Sequence, residues 1–585
     1  MRPSLVRIVA CFLMLLSGTA WSQAQPAYDV IITNGRIVDG AGNPWFRADI
    51  GIRGRRITAI GDLRDAGAAR RIDARGNIVS PGFIDMHSHA SWNYLVDSRA
   101  VSKLTQGITL EIEGEGFSVG PMDEAAARQL APVFARFGVN GDWRTLGQFF
   151  QRLEQHPATI NFASYIGTGT VRQLVVGYAD RRATPAELDR MRAMVAQAMR
   201  EGALGVYSAL LYPPDAYNST EELIEMAKVA RRYGGVYQTH PRSEAAAADR
   251  SMDEVFRIAR EANIPAHVTH FKVAQQQQWG TIAHLIDRIQ AARAGGLDIT
   301  ADMYAYEWAD GSLTALLPPW AQEGGRAAIV ARLRDRETRE RIKRELVTPS
   351  DTWENEYLGL GGGPAGLIFN SARGNPALRR YEGRTLAEIA ATEGKDPRDV
   401  VLDLIIAGDG SIIERLMSED DIRRAIVQPW VAFGTDGVTV APDGPLSHDL
   451  VHPRAYGAFP RIFGRYVREL RLVTLEEAVR RATSLAAQRL NIRDRGLLRE
   501  GYYADIVIFD PATIADTATY EAPHQIARGV NYVLVNGEVV LDMGRVTSAR
   551  PGMVVRGPGY VPPSSTDRMV HPAAGPRRHR SSDPR

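Results

Sequence analysis

The sequence predicts an α/β fold: a barrel of eight strands and crossover helices, carrying a small β-sandwich built from both chain ends. Three observations predict it. Short β-rich runs alternate with amphipathic helical stretches through the middle of the chain, the pattern of strands joined by helices. An all-β block stands on each side of that middle. Several apolar runs in the middle end on a histidine or a carboxylate, as barrel strands do where site residues gather. At 585 residues the chain can form one large domain with smaller additions. Apolar residues make up 44% and charged residues 24%, an ordinary balance for a soluble globular protein.

In chain order, residues 1–24 read as a signal peptide. Arg2 and Arg7 precede the apolar run Ile8–Leu16, and Ser22-Gln23-Ala24 offers a cut after Ala24. The run is too short to span a bilayer, so no stable membrane insertion is expected after its removal. The mature protein is expected in the periplasm or secreted. Cys11, the one cysteine, lies in this segment, which leaves the mature chain no disulfide and no thiolate ligand. Residues 25–78 form the first β block, with turn glycines between alternating apolar positions. Residues 79–495 form the barrel, with strands near 80–87, 107–113, 160–166, 203–207, 235–239, 265–270, 298–302 and 431–435. Thr184–Glu187 and Thr474–Glu477 read as capping boxes that open helices. The stretch of about 308–425 is longer than a crossover needs and reads as an inserted subdomain. Residues 496–556 form the second β block, with Val535-Asn536-Gly537-Glu538 as a hairpin turn. Residues 557–585, rich in Pro, Ser and Arg, read as a disordered tail. Net charge is +2, from 70 basic and 68 acidic residues without a basic stripe, so no nucleic-acid partner is expected.

The chemistry-bearing residues sit at strand ends. His87 and His89 close the run "PGFIDMHSH"; residues two apart on a strand face one side, so both imidazoles can meet one ion. His240 ends "GGVYQTH", His270 ends "IPAHVTH", and Asp436 follows "WVAFGT". Four histidines and a carboxylate at the ends of four strands suit a borderline dication, with Zn2+ (one or two ions) as the expected cofactor. His267, three residues before His270, faces differently and reads as structural.

These stretches, with "TQGIT", "LYPPDAY", "YQTHPRSE", "THFK", "FGTDG", "HPRAYGAFPRIFGRYVREL" and "GYYADIVIFDP", resemble the N-acyl-D-amino-acid deacylases (D-aminoacylases) of the amidohydrolase superfamily. The resemblance runs from about Tyr28 to Arg556. It implies a TIM-like (β/α)8 barrel with a split β-sandwich. It also implies metal ligation by His87, His89, His240 and His270, with Asp436 as general acid/base. Lys272, Tyr304, Tyr212 and Arg454 match positions that hold the carboxylate and amide of the substrate. The sequence departs from the family after the second strand. A metal-ligating Cys is usual there, and this chain has "TLEIEGEGFS". Glu111, Glu113 and Glu115 alternate, and inward carboxylates are costly unless paired or metal-bound. Glu115, or failing that Glu113, is expected to bridge a two-metal site.

The expected reaction is hydrolysis of a small-molecule amide bearing a carboxylate, an N-acyl-D-amino acid above others. Metal-activated water attacks, and Asp436 moves the proton to the leaving amine. A cyclic-amide hydrolase of the hydantoinase or dihydroorotase type ranks lower, because the fourth-strand run "GALGVYSALLYPP" lacks the lysine those enzymes carbamylate. A non-catalytic periplasmic binding protein on this fold fits poorly with an intact set of four histidines and Asp436.

Overall fold

The structure is a computed structural model that describes residues 27–562. The expected signal peptide, and the tail beyond residue 562, lie outside the described residues. Among the described residues no helix is long and apolar enough to cross a membrane.

Eight parallel strands build the barrel: Phe83–Asp85, Ile108–Glu113, Asn161–Ser164, Gly205–Ala209, Val236–His240, Ala266–Val268, Ile299–Met303 and Val431–Phe433. Each falls on one of the eight β-rich runs. The first three form one ladder and the other five, with the short strand Ile166–Gly167, form another. The first and eighth strands meet through single hydrogen bonds: Met86 N–H donates to Phe433 O at 3.3 Å and His89 N–H to Gly437 O at 3.1 Å. The strands are buried on both faces, which is why they read as apolar runs rather than alternating ones.

The helix signals hold with one exception. Thr184 and Glu187 form a reciprocal capping box at the helix Pro185–Glu201. At the helix Leu475–Ala482, Thr474 accepts from Glu477 N–H, but the Glu477 carboxylate does not return to the Thr474 N–H. It pairs instead with Arg480, 2.7 Å from its Nε.

The two β blocks join into one nine-stranded sheet. The seam is the antiparallel pair Ile78–Pro81 with Ile506–Phe509. Ile32, Ile50, Ile52 and Ile57 from the first block share one apolar core with Ile506, Ile508 and Leu534 from the second. The hairpin turn has Asn536 at φ 50° and Gly537 at φ 84°, the left-handed pair a two-residue loop of this kind needs. Past the sheet, Gly557 N–H donates to Gly202 O at 2.8 Å and Val561 N–H to Arg200 O at 2.9 Å. The first residues of the expected tail are thus bound to the barrel.

The long stretch between the seventh and eighth barrel strands carries its own antiparallel sheet of Trp308–Ser312, Ser411–Arg415, Leu367–Ser371 and Arg384–Thr385. It forms one side of a cavity of about 1170 Å³ that holds the expected site residues.

Candidate metal centre

The first strand ends at Asp85, and a bridge between Ser88 and Gly437 carries the pairing onward. His87 and His89 flank Ser88, so their rings fall on the side opposite its hydroxyl. The ring centroids are 5.1 Å apart, while Ser88 Oγ donates to Glu111 Oε2 at 2.8 Å.

The three carboxylates of the second strand go to three places. Glu111 is fully buried and also accepts from Thr439 Oγ1 at 2.8 Å. Glu113 accepts from Ser91 N–H at 3.2 Å and Ser164 Oγ at 3.3 Å, and burial pushes its carboxyl up to about 7. Glu113 is therefore not brought to the histidines. As the last residue of the strand it is still held in the ladder beside Ser164. The next turn carries Glu115 there. Gly114 and Gly116 have φ of 115° and 56°, and a Cβ on Gly116 would lie 2.5 Å from Ala209 Cβ. Glycine takes these left-handed steps at little steric cost.

The Glu115 carboxylate divides between two groups. Its Oε2 lies 2.7 Å from His87 Nε2 and 3.2 Å from His89 Nε2. Its Oε1 lies 2.8 Å from His240 Nδ1 and 3.7 Å from His270 Nε2. Asp436 Oδ1 joins the first group, 2.9 Å from His89 Nε2 and 3.4 Å from His87 Nε2. In the second group His240 Nδ1 and His270 Nε2 face each other at 3.0 Å. Burial disfavours both anions, but His87 and its neighbours hold Glu115, and Arg454 with the histidines holds Asp436, well below the usual carboxylate range.

His270 and Asp436 both take left-handed backbone, at φ 37° and 50°. Such a conformation costs a non-glycine residue about 1–3 kcal/mol. Backbone bonds offset it: His270 N–H donates to Asp302 Oδ1 at 2.9 Å and Asp436 N–H to His87 O at 2.8 Å.

The donor set fits divalent ions. His87, His89, Glu115 and Asp436 form one group and Glu115, His240 and His270 another, each with ligand atoms within 4.8 Å of one another. Imidazole with carboxylate is a zinc-type set, and the second group leaves room for a non-protein ligand. Glu244, which the strand-end pattern does not single out, completes the surround. Its Oε1 lies 2.9 Å from His270 Nδ1, the carboxylate support a metal-bound imidazole needs. Burial opposes its charge, yet His270 and Lys272 hold its carboxyl down to about 2. The one available signal is its place four residues after His240.

The expected substrate contacts also line this cavity. Lys272 Nζ pairs with Glu244 Oε2. Arg454 Nη1 lies 2.8 Å from Asp436 Oδ2, and its guanidinium stacks on the Tyr304 ring at 4.6 Å. The Tyr304 hydroxyl has no partner among the described residues. Tyr212 sets its ring edge against His240 at 5.3 Å. His267 stands apart, bound to Thr300 Oγ1 at 2.7 Å and Asp302 Oδ2 at 2.9 Å, a structural position.

The amidohydrolase family model matches residues 70–541. The chain belongs to the amidohydrolase family. A D-aminoacylase of Alcaligenes xylosoxydans xylosoxydans is 36% identical over 538 residues, covering 91% of this amidohydrolase and 98% of that relative. An N-acyl-D-glutamate deacylase of the same organism is 33% identical, with 91% and 97% covered. A D-aminoacylase crystal structure matches with a TM-score of 0.76 at 33% identity, covering 90% of this chain and 99% of that one. The N-acyl-D-glutamate deacylase of Bordetella bronchiseptica, solved with zinc and a phosphonate inhibitor, matches at 0.75 and 31%, covering 91% and 100%. A D-hydantoinase from Thermus sp., at 0.52 and 16%, shares the amidohydrolase fold.

Proposed function

We propose that this amidohydrolase cleaves N-acyl-D-amino acids to a carboxylate and a free D-amino acid, with one or two Zn2+ ions, outside the cytoplasm. The observation that carries the reading is the division of the Glu115 carboxylate between two histidine pairs. His87, His89 and Asp436 would hold one ion beside Glu115 Oε2, and His240 and His270 the other beside Oε1. Bound ions would supply Lewis-acid polarisation of the amide carbonyl and a water acidified toward neutral pH. Asp436, ionised and buried at the cavity floor, accepts a proton and returns it to the leaving nitrogen. Arg454 keeps an Nε–H without a partner among the described residues. With the Tyr304 hydroxyl and Lys272 it offers donors to an anionic amino acid. Glu244 fixes the His270 ring and the Lys272 ammonium together. The zinc set agrees with the zinc-bearing deacylase relative, and the D configuration with the names of the relatives. Export is supported by the character of residues 1–24, and a mature N-terminus at Gln25 is expected on sequencing.

The test is turnover of the metal-analysed protein on paired N-acetyl-D- and N-acetyl-L-amino acids. Release of the D-amino acid alone, lost on chelation and restored by zinc, is expected. Preference for the L series, or no hydrolysis of either, defeats the reading.

A further inference from the structure

The wall that the inserted stretch contributes to the cavity contains two carboxylates that the deacylase reading does not use. Glu414 lies on the strand Ser411–Arg415 and Glu356 opens the short helical turn Glu356–Gly359. Both line the cavity that holds the metal centre. Their residues are only 1% and 6% exposed, yet Glu414 Oε1 and Glu356 Oε2 have no hydrogen-bond partner among the described residues. A buried carboxylate without a partner is costly, and such a group in a native fold calls for an explanation.

The cavity's own cations do not supply one. Lys272 is paired with Glu244 and offsets only part of the penalty on Glu356, Arg454 lies against Asp436, and Arg136 lies against Asp449. Arg373 lines the cavity but is exposed, and it acts on Asp310. Neighbouring Glu354 is satisfied, accepting from Glu244 N–H at 2.5 Å. Burial pushes the Glu414 carboxyl up to about 8, with Asp310 and Glu354 adding to it, and burial with Glu414 raises Glu356 as well. An arriving cation relieves that penalty for both.

We infer that Glu356 and Glu414 recognise an ammonium or guanidinium on the amino-acid half of the substrate. The turn that carries Glu356 packs on the loop after Lys272: a Cβ on Gly359 would stand 2.3 Å from Gln275 Cγ. Glu356 thus lies on the side of the cavity that holds Lys272, the residue read as a carboxylate contact, and Lys272 acts on its charge. Elsewhere the cavity is lined by Trp92, Phe117, Val133 and Phe137, an apolar surface suited to the acyl half. This inference rests on the deacylase reading and names the side chain it prefers.

The test compares N-acetyl-D-arginine with its neutral near-isostere N-acetyl-D-citrulline, and N-acetyl-D-lysine with N-acetyl-D-norleucine, on the zinc-loaded full chain. The cationic member of each pair is expected to show kcat/KM at least about tenfold higher, mainly through a lower KM. That ratio is expected to fall toward one in the E356Q/E414Q double variant, with folding checked by its melting transition. Equal kcat/KM within each pair, or a preference that survives the double variant, overturns the inference while leaving the deacylase reading intact. If no N-acetyl-D-amino acid is hydrolysed, the deacylase reading has failed, and calorimetric binding of the same pairs decides the cation site. Tighter binding of the cationic member, lost in the double variant, upholds it, and equal binding overturns it.

Discussion

Asp436 presents one carboxylate oxygen to the histidines and the other to Arg454. The first contact puts the group where it could hold an ion, and the second keeps it ionised. Asp436→Asn preserves the shape and one coordinating oxygen but removes the proton acceptor. Turnover is expected to fall by about 10²–10⁴-fold while metal content, measured by mass spectrometry, holds. Near-normal turnover in the variant rules the role out. The four histidines and Asp436 were legible because each follows a strand-like apolar run. Glu115 was legible as the first choice among three alternating carboxylates, through the family's Cys position, with Glu113 as the fallback. What separates it from Glu113 is the backbone at Gly114 and Gly116, which lets the chain leave the ladder between them. Glu244 was not legible as a support for His270, because that contact joins two loops from neighbouring strands.

The loops after the first and eighth strands are tied by a fully buried lysine. Lys103, in the short helix Val101–Leu104, donates from Nζ to Asp85 Oδ2 at 2.8 Å, Ser88 Oγ at 3.1 Å and Gly437 O at 2.8 Å, and also contacts Thr435 Oγ1. Removing one member of a buried ion pair strands the other in a dry site. Lys103→Met is expected to cost about 3–5 kcal/mol of stability and to weaken metal binding by the His87–His89 group. Chemical denaturation and metal titration check both, and a variant with wild-type stability contradicts the account. No spacing or periodicity pointed to Lys103, since its partners come from opposite ends of the barrel sequence. The barrel strands, in contrast, were legible as a set. Burial on both faces leaves apolar runs, and pairing of the two β blocks follows from their complementary apolar faces. The acids at Glu356 and Glu414 stayed hidden because the sheet that presents one of them forms only when 308–312 pairs with 411–415 across a hundred residues.

On the scale of the whole molecule, the barrel is two ladders closed by sparse hydrogen bonds. The first group of candidate ligands spans one closure, with His87 and His89 before it and Asp436 after it. Glu115 belongs to the shorter ladder's side, and His240 and His270 to the longer ladder's side. Ions held by both groups would bind the folded barrel across its seams and have no comparable site in the unfolded chain. Their binding energy is then stability: a ligand at 100 times its dissociation constant adds about 2.7 kcal/mol. Without ions, anionic Glu115 and Asp436 crowd against the histidines at the cavity floor, and Arg454 and proton sharing are what relieve them. Exhaustive chelation is therefore expected to lower the melting temperature and broaden the transition, and stoichiometric zinc to restore both. Scanning calorimetry with metal analysis on the same samples checks this. The nine-stranded sheet contributes no candidate ligand and buries one set of residues in a core of its own, so it is expected to keep its amide protection in the apo protein while the barrel loops at 87–91 and 435–440 lose theirs. An apo protein that melts at the holo temperature, with unchanged exchange in those loops, would show that the seams need no ion to hold them.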